Sequence, residues 1–206
     1  ILIANPYQTW RDIRSDLPDM PIRVYGPPPT SGTRDILVER LISQACLQET
    51  VIQELLQRNP MDVNRVCQTL REDGPFINAG ENDSKLVRKL INDPEALGIF
   101  GFNFLDRNRD NLQGASISGV APRFEAIESG DYPLTRPLYL YVKFPHKALI
   151  PGLSEFTQSV IEPQSAGPEG RLTLQGLIPL AAPAPTTVGV VQTRQYHPKG
   201  SSTLDE

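Results

Sequence analysis

The residues best suited to chemistry lie in one short stretch, Thr-Ser-Gly-Thr-Arg at positions 30–34. A small-residue turn at a helix start leaves backbone N–H groups without acceptors, beside the positive end of the helix dipole. Gly32 lets an anion approach the backbone closely, and Ser31 and Thr33 can add hydroxyl donors. Arg34 adds a fixed charge with a fork geometry that suits an oxyanion. The stretch therefore indicates an anion-binding turn; the simpler alternative is that Ser31 or Thr30 only caps the helix and Arg34 is a solvated surface residue.

The elements that must position this turn follow from the apolar pattern around it. A strand is predicted at 21–25, and after the turn apolar residues recur with helical spacing up to about residue 71, interrupted at Asn59-Pro60. Gly-Glu-Asn-Asp-Ser at 80–84 predicts another helix start. The remaining predictions are a glycine-punctuated buried strand at 96–102, the strongest strand of the chain at 138–142, and a helix after Pro151-Gly152. This alternation of strands and helices indicates an α/β architecture.

Composition narrows the class of protein. The chain has 206 residues, of which 39% are hydrophobic and 21% charged, which is typical of a soluble globular protein. Its 20 Lys and Arg against 24 Asp and Glu give a net charge of −4, which argues against a general nucleic-acid binder. No apolar run approaches the roughly 20 residues of a membrane-spanning helix. An anion must therefore be held by local dipoles and one or two arginines.

The cysteines and histidines allow few kinds of site. Cys46 and Cys67 lie near the ends of consecutive predicted helices, and either a disulfide or two buried free thiols would satisfy the pattern. His146 and His197 have no Cys, Asp or second His at ligand spacing, and neither has an evident nucleophile partner. The sequence predicts no metal site and no cofactor.

Four stretches, in order, resemble the periplasmic phosphate-binding proteins that feed ABC-type phosphate importers. The first runs from Asn5-Pro6 to Trp-Arg-Asp-Ile at 10–13, and the second is the strand and Ser-Gly-Thr-Arg turn at 22–34. The third is Ala-Leu-Gly-Ile-Phe-Gly-Phe at 96–102, and the fourth is Tyr-Pro-Leu-Thr-Arg-Pro-Leu-Tyr-Leu-Tyr-Val at 132–142. Together the resemblance covers about residues 5–180.

The resemblance implies an α/β, two-lobed type II periplasmic-binding-protein fold whose first lobe is incomplete in this chain. Residues 5–98 would form the second lobe with the oxyanion turn. Residues 1–4 and 99–180 would supply the crossover strands and the later part of the first lobe, and 181–206 an Ala- and Pro-rich linker or tail. The start at Ile1, without an initiating Met or a signal-peptide pattern, is interpreted as that of an excised fragment, a processed precursor being the alternative.

The same resemblance implies binding of inorganic phosphate, or a similar oxyanion, in the periplasm for delivery to the membrane subunits of an ABC transporter. No catalysis is implied. The phosphate-binding residues would be Ser31, Gly32, Thr33 and Arg34. Asn82 would add a donor, hold Arg34, or act as a plain N-cap. The periplasmic location favours the disulfide over free thiols.

Other assignments follow from the same comparison. Tyr132, Arg136 and Tyr139 are assigned to stabilisation of the first lobe. Pro27–Pro29 stand where family members with a different loop carry an Arg or an Asp, so no proton-accepting Asp is transferred. Alternatives are an oxyanion-scavenging or adaptor module fused to another domain, and a phosphate-handling hydrolase. The hydrolase is disfavoured because the chain has no Gly-Lys-Ser/Thr loop and no Gly-x-Ser-x-Gly elbow.

Overall fold

The computed structural model describes residues 7–59, 65–143 and 145–180. Its strands are β1 (Val24–Gly26), β2 (Phe76–Asn78) and β3 (Leu97–Gly98). The helices before β3 are α1 (Trp10–Ile13), α2 (Gly32–Ile36), α3 (Ser43–Leu47), α4 (Thr50–Arg58), α5 (65–68) and α6 (Asp83–Ile91). Those after β3 are α7 (Phe102–Asp106), α8 (Phe124–Glu128), α9 (His146–Leu149), α10 (Leu153–Ile161), α11 (Pro163–Ala166) and α12 (Arg171–Leu174). The predicted tail at 181–206 and the crossover residues 1–4 lie outside the described residues.

The three strands form a parallel sheet in the order β2-β1-β3. Val24 lies opposite Phe76 on one side and opposite Leu97 on the other. Parallel neighbours need crossover connections, which α2 to α5 supply between β1 and β2, and α6 supplies between β2 and β3. All three strands therefore end at the same edge of the sheet, where ligands of open α/β sheets bind.

One continuous helical run begins the connection between β1 and β2 and packs on the core. The chain stays helical from Gly32 to Leu47, passing through a π-helical segment at Leu37–Ile42 between α2 and α3. Two residues of this run, Leu37 and Ile42, are buried against the strands. The cluster that they join is completed by Ile22, Val24, Leu70 and Phe76. The helix that opens at the Ser-Gly-Thr turn is thus fixed to the sheet by its own apolar face.

A disulfide between Cys46 and Cys67 closes the end of this helical run, with the two Cα atoms 5.6 Å apart. Both cysteines are buried, and Ile52 and Leu55 of α4 pack against them. The predicted disulfide is confirmed. It fastens α3 to α5 beside the small apolar cluster.

The strongest predicted strand, at 138–142, is wrong as a strand. This segment joins no sheet within the described residues, and Leu138, Tyr139, Leu140 and Tyr141 are exposed. A strand exists only through hydrogen bonds to a neighbour, and the described sheet ends at β2 and β3. The strand predicted at 96–102 is shorter in the structure. Only Leu97–Gly98 form β3, and α7 already begins at Phe102.

Candidate oxyanion-binding site

The Ser-Gly-Thr turn lies at the carboxyl edge of the central strand. β1 ends at Gly26, and the proline run that follows begins with a fully buried Pro27. The Ser31 N–H donates to the carbonyl of Pro28 at 3.0 Å, which closes the turn. The Ser31 hydroxyl oxygen then accepts from the N–H of Thr33 at 3.3 Å, as an N-cap does. Ser31 therefore does cap the helix, as the simpler alternative predicted. The same hydrogen bond holds the turn in one conformation.

Several donors of the turn have no acceptor in the described part of the chain. The N–H of Gly32 is the first in the helix and makes no hydrogen bond there. The hydroxyl hydrogen of Ser31 remains available, because only its oxygen is used in the cap. The Thr33 hydroxyl also has no partner among these residues. What remains open at this turn is thus a set of donors, which is the chemistry of an anion site.

The next helix start lies beside this turn, because β2 is the parallel neighbour of β1. Asn82 is the N-cap of α6, and its Oδ1 accepts from the N–H of Lys85 at 3.0 Å. The Thr30 hydroxyl forms a short hydrogen bond with the carboxylate of Glu81. This bond ties the two loops together and places one acidic group at the edge of the turn. The capping role of Asn82 is observed, and a ligand contact through its amide nitrogen stays a prediction.

Arg34 is half-buried and lies over the ring of Phe76, with 5.0 Å from its guanidinium carbon to the ring centroid. It forms no ion pair within the ranges that the structure describes. Phe76 in turn packs against Gly26, where an added β-carbon would lie 2.6 Å from two of its ring carbons. Gly26 thus admits the ring on which Arg34 stacks, and a guanidinium held by such stacking keeps its N–H groups available for hydrogen bonds.

Arg136 also reaches the turn, which the sequence did not predict. A β-carbon on Gly32 would lie 2.4 Å from Nη2 of Arg136 and 3.2 Å from both its Cζ and its Nη1. The guanidinium therefore lies directly against the glycine. No local sequence pattern could have placed it there, because the two residues are far apart in the chain and belong to different elements. The only hint was an arginine in the Pro-Leu-Thr-Arg-Pro stretch of the resemblance.

A second polar cluster holds the start of β2 in place. The Arg71 side chain is buried, and its Nε donates to Asp73 at 2.5 Å while Nη1 donates to the carbonyl of Tyr7 at 2.6 Å. The hydrogen bonds from Arg71 lower the pKa of Asp73 to about 2. Two residues further on, the carbonyl of Pro75 accepts from the N–H of Val24. This cluster fixes the register of the sheet rather than a ligand.

A further polar cluster joins residues of β1 and its start to Asp93, just after α6. Nη2 of Arg23 lies 2.7 Å from Asp93, and the hydroxyl of Tyr25 donates to the same carboxylate at 3.0 Å. That hydrogen bond raises the pKa of Tyr25. The Asp93 carboxylate is thus already satisfied by two donors, and this group is structural.

Other kinds of site find no support in the described residues. No group of three or more His, Cys, Asp or Glu side chains there could hold a metal ion. Within the same ranges, no helix combines the length and apolarity needed to cross a membrane. His197 of the sequence analysis lies outside the described residues.

Comparison with known proteins assigns the fold to a family. The PBP superfamily domain matches residues 2–163. The chain therefore belongs to the PBP superfamily. The match confirms the class of fold inferred from the four resembling stretches. The matched residues include both the Ser-Gly-Thr turn and Arg136.

Similar proteins carry names that concern phosphate. The chain is 29% identical over 176 residues to the protein SphX of Synechocystis sp., covering 83% of this chain and 44% of that protein. It is 25% identical over 173 residues to the phosphate-binding protein PstS of Staphylococcus epidermidis, covering 82% and 45%. The chain thus spans less than half the length of these curated relatives.

Two solved structures have a similar fold. A possible phosphate-binding protein from Planctomyces limnophilus aligns with a TM-score of 0.55 at 24% identity, covering 87% of this chain and 55% of that one. PstS from Borrelia burgdorferi aligns with a TM-score of 0.54 at 17% identity, covering 88% and 61%. At these identities the likeness concerns the fold.

Proposed function

We propose that this chain binds inorganic phosphate outside the cytoplasm for delivery to an ABC-type importer. The observation that carries the proposal is the turn at 31–33, whose open N–H and hydroxyl groups have no acceptors in the described chain and against which the guanidinium of Arg136 lies. The names of the similar proteins support phosphate as the ligand. Arsenate or a related oxyanion would use the same donors.

The electrostatics of the turn are local. The chain as a whole carries −4, so its overall field does not attract an anion. At the turn, the free N–H of Gly32 and the helix dipole point the same way, and Arg34 adds a formal charge. Charge-assisted hydrogen bonds of this kind are stronger than neutral ones. Affinity is therefore concentrated in a few groups.

The proposed role is binding without catalysis. A nucleophilic Ser31 would need a general base within hydrogen-bonding reach. The Ser31 oxygen instead accepts from the N–H of Thr33, and no His, Asp or Glu bonds to it in the described residues. The expected mechanism is capture between two lobes, 5–98 and the later part of the first lobe at 99–180, whose closure signals the membrane subunits of the importer.

The proposed compartment is the periplasm, or more generally the space outside the cytoplasm. The Cys46–Cys67 disulfide supports it, because structural disulfides persist in oxidising compartments. The two cysteines are buried beside α4, so the bond has a structural place in the fold.

Equilibrium dialysis with radiolabelled phosphate tests the proposal, because it measures weak as well as tight binding. The chain spans only part of its relatives, so we expect weaker binding than that of a complete two-lobed receptor. Arg34→Ala should reduce the binding free energy by about 1.5–3 kcal/mol, and Ser31→Ala by about 1 kcal/mol.

The matched control is Arg58→Ala, which removes the same charge from the exposed end of α4. It should leave phosphate binding unchanged. Equal phosphate affinity of Arg34→Ala and the unsubstituted chain would remove Arg34 from the site. Release of phosphate from a phosphate monoester by the pure protein would favour the hydrolase instead.

A further inference from the structure

We propose that Arg136 is a second oxyanion-binding residue, which clamps the ligand onto the Ser-Gly-Thr turn from a separate part of the chain. This inference rests on the proposed function, since it assigns a further contact to the same site. The guanidinium lies against Gly32, whose missing β-carbon would come within 3.2 Å of Nη2, Cζ and Nη1 alike. Nη2 is the nearest of the three atoms, so the contact is made by the edge of the guanidinium at this nitrogen.

Gly32 then has two functions. Its N–H is an open donor at the helix start, and its lack of a side chain makes room for the guanidinium. Any larger residue at this position would push Arg136 away from the turn, which the long side chain could do at small steric expense. The glycine is thus needed for access to the site as well as for the approach of an anion to the backbone.

Within the described residues Arg136 forms no hydrogen bond and no ion pair, whereas Arg71 and Arg23 are each paired with a carboxylate. Arg34, directly after Thr33, also forms no ion pair in the described residues, and its guanidinium stacks on Phe76. Two cations brought to one site repel each other unless an anion lies between them. An oxyanion with two or more charged oxygens would satisfy both forks together.

The segment that carries Arg136 is restrained. Pro137 limits the backbone of the preceding residue to extended conformations, so the backbone of Arg136 has few alternatives. Upstream, the N–H of Tyr132 donates to the carbonyl of Ala126 at 2.9 Å. Its hydroxyl donates to the carbonyl of Ala115 at 3.4 Å. Arg136 is therefore presented by the region after β3 rather than by the sheet that holds the turn.

A ligand held by both sides would connect these two regions of the chain. The turn at 31–33 follows β1, and Arg136 follows the segment anchored at Tyr132. Binding free energy from Arg136 is available only when the two regions are close. The ligand class that fits is a tetrahedral oxyanion carrying two negative charges, because it can face both guanidinium groups at once.

The test is equilibrium dialysis of the full 206-residue chain with inorganic phosphate, for Arg136→Gln, Arg136→Lys and the control Arg58→Gln. Arg136→Gln should weaken binding by about tenfold or more, the value that corresponds to one charged hydrogen bond. Arg136→Lys should recover only part of this loss, because a lysine keeps the charge without the fork. Arg58→Gln should bind phosphate like the unsubstituted chain.

Gly32→Ala provides a second, independent measurement. If its β-carbon acts by displacing Arg136, its effect should shrink in the Arg136→Gln background, as a double-mutant cycle shows. Additive losses, or equal phosphate affinity of Arg136→Gln and the unsubstituted chain, would overturn this inference and leave the proposed function standing. Absence of phosphate binding by the unsubstituted chain, at any concentration up to tens of millimolar, would overturn both.

Discussion

Removal of the Cys46–Cys67 disulfide tests how the helical run behind the Ser-Gly-Thr turn is stabilised. The perturbation is the double substitution Cys46→Ala and Cys67→Ala. Both side chains are buried, at 5% and 2% exposure. Because alanine is small and apolar, the substitutions place no charged or polar group in the cluster. The main expected effect is the release of a constraint on the unfolded chain.

The magnitude follows from the length of chain that the bond closes. The two cysteines are 21 residues apart in sequence. On the chain-entropy account, a loop of that length contributes about 3.3 kcal/mol to the free energy of unfolding at 25 °C. For a domain of this size the melting temperature should fall by about 7–13 °C. The two lost sulfur atoms against Ile52 and Leu55 would add a smaller packing loss.

The assay is guanidinium chloride unfolding followed by circular dichroism, for the double variant and for the unsubstituted chain. The unfolded double variant is less compact, so its denaturant dependence should also become steeper. The matched control is the unsubstituted chain kept reduced, which should unfold near the midpoint of the double variant. Unfolding of all three samples at one midpoint would show that the cross-link contributes nothing, and the loop-closure reasoning would be refuted.

Two further substitutions test the packing around the site. Asp73→Asn should destabilise the chain at pH 7; because the pKa of Asp73 is lowered to about 2 by its hydrogen bonds with Arg71, its contribution is complete above pH 4 and is lost as pH falls toward 2. Urea unfolding at pH 7 and pH 2 checks this, and an equal loss at both values would contradict it. Gly26→Ala should lower the free energy of unfolding by about 1–3 kcal/mol, because its β-carbon would overlap the Phe76 ring. Unchanged stability in thermal unfolding would show that the ring, with Arg34 stacked on it, relaxes freely.

Much of the local structure was predictable from short-range patterns. The helix from Gly32 was indicated by apolar residues at helical spacing, and it ends at Leu47, next to Cys46, near which the sequence placed a helix end. Asn82 begins α6 as the capping signature predicts, and the helix after Gly152 begins at Leu153. Caps and apolar stripes depend on neighbours within about four residues, so the sequence contains the whole interaction.

The candidate site was predictable in part for the same reason. Ser31, Gly32, Thr33 and Arg34 are consecutive, so their common placement at one helix start follows from the turn itself. The resemblance implied phosphate binding at that turn, and the superfamily match confirmed the class of fold. The disulfide was left open by the residues alone, was favoured by the implied compartment, and is present in the structure.

The sequence by itself determined the helix starts, the Ser-Gly-Thr turn and the α/β class of this protein. Only the tertiary structure decided that Arg136 lies against Gly32 and that 138–142 forms no strand within the described chain. Both depend on residues distant in sequence. The guanidinium of Arg136 fits against Gly32 because glycine has no side chain, and the β-prone segment needs a neighbouring strand to pair with. Propensity specifies what a segment can form, whereas its spatial neighbours specify what it does form.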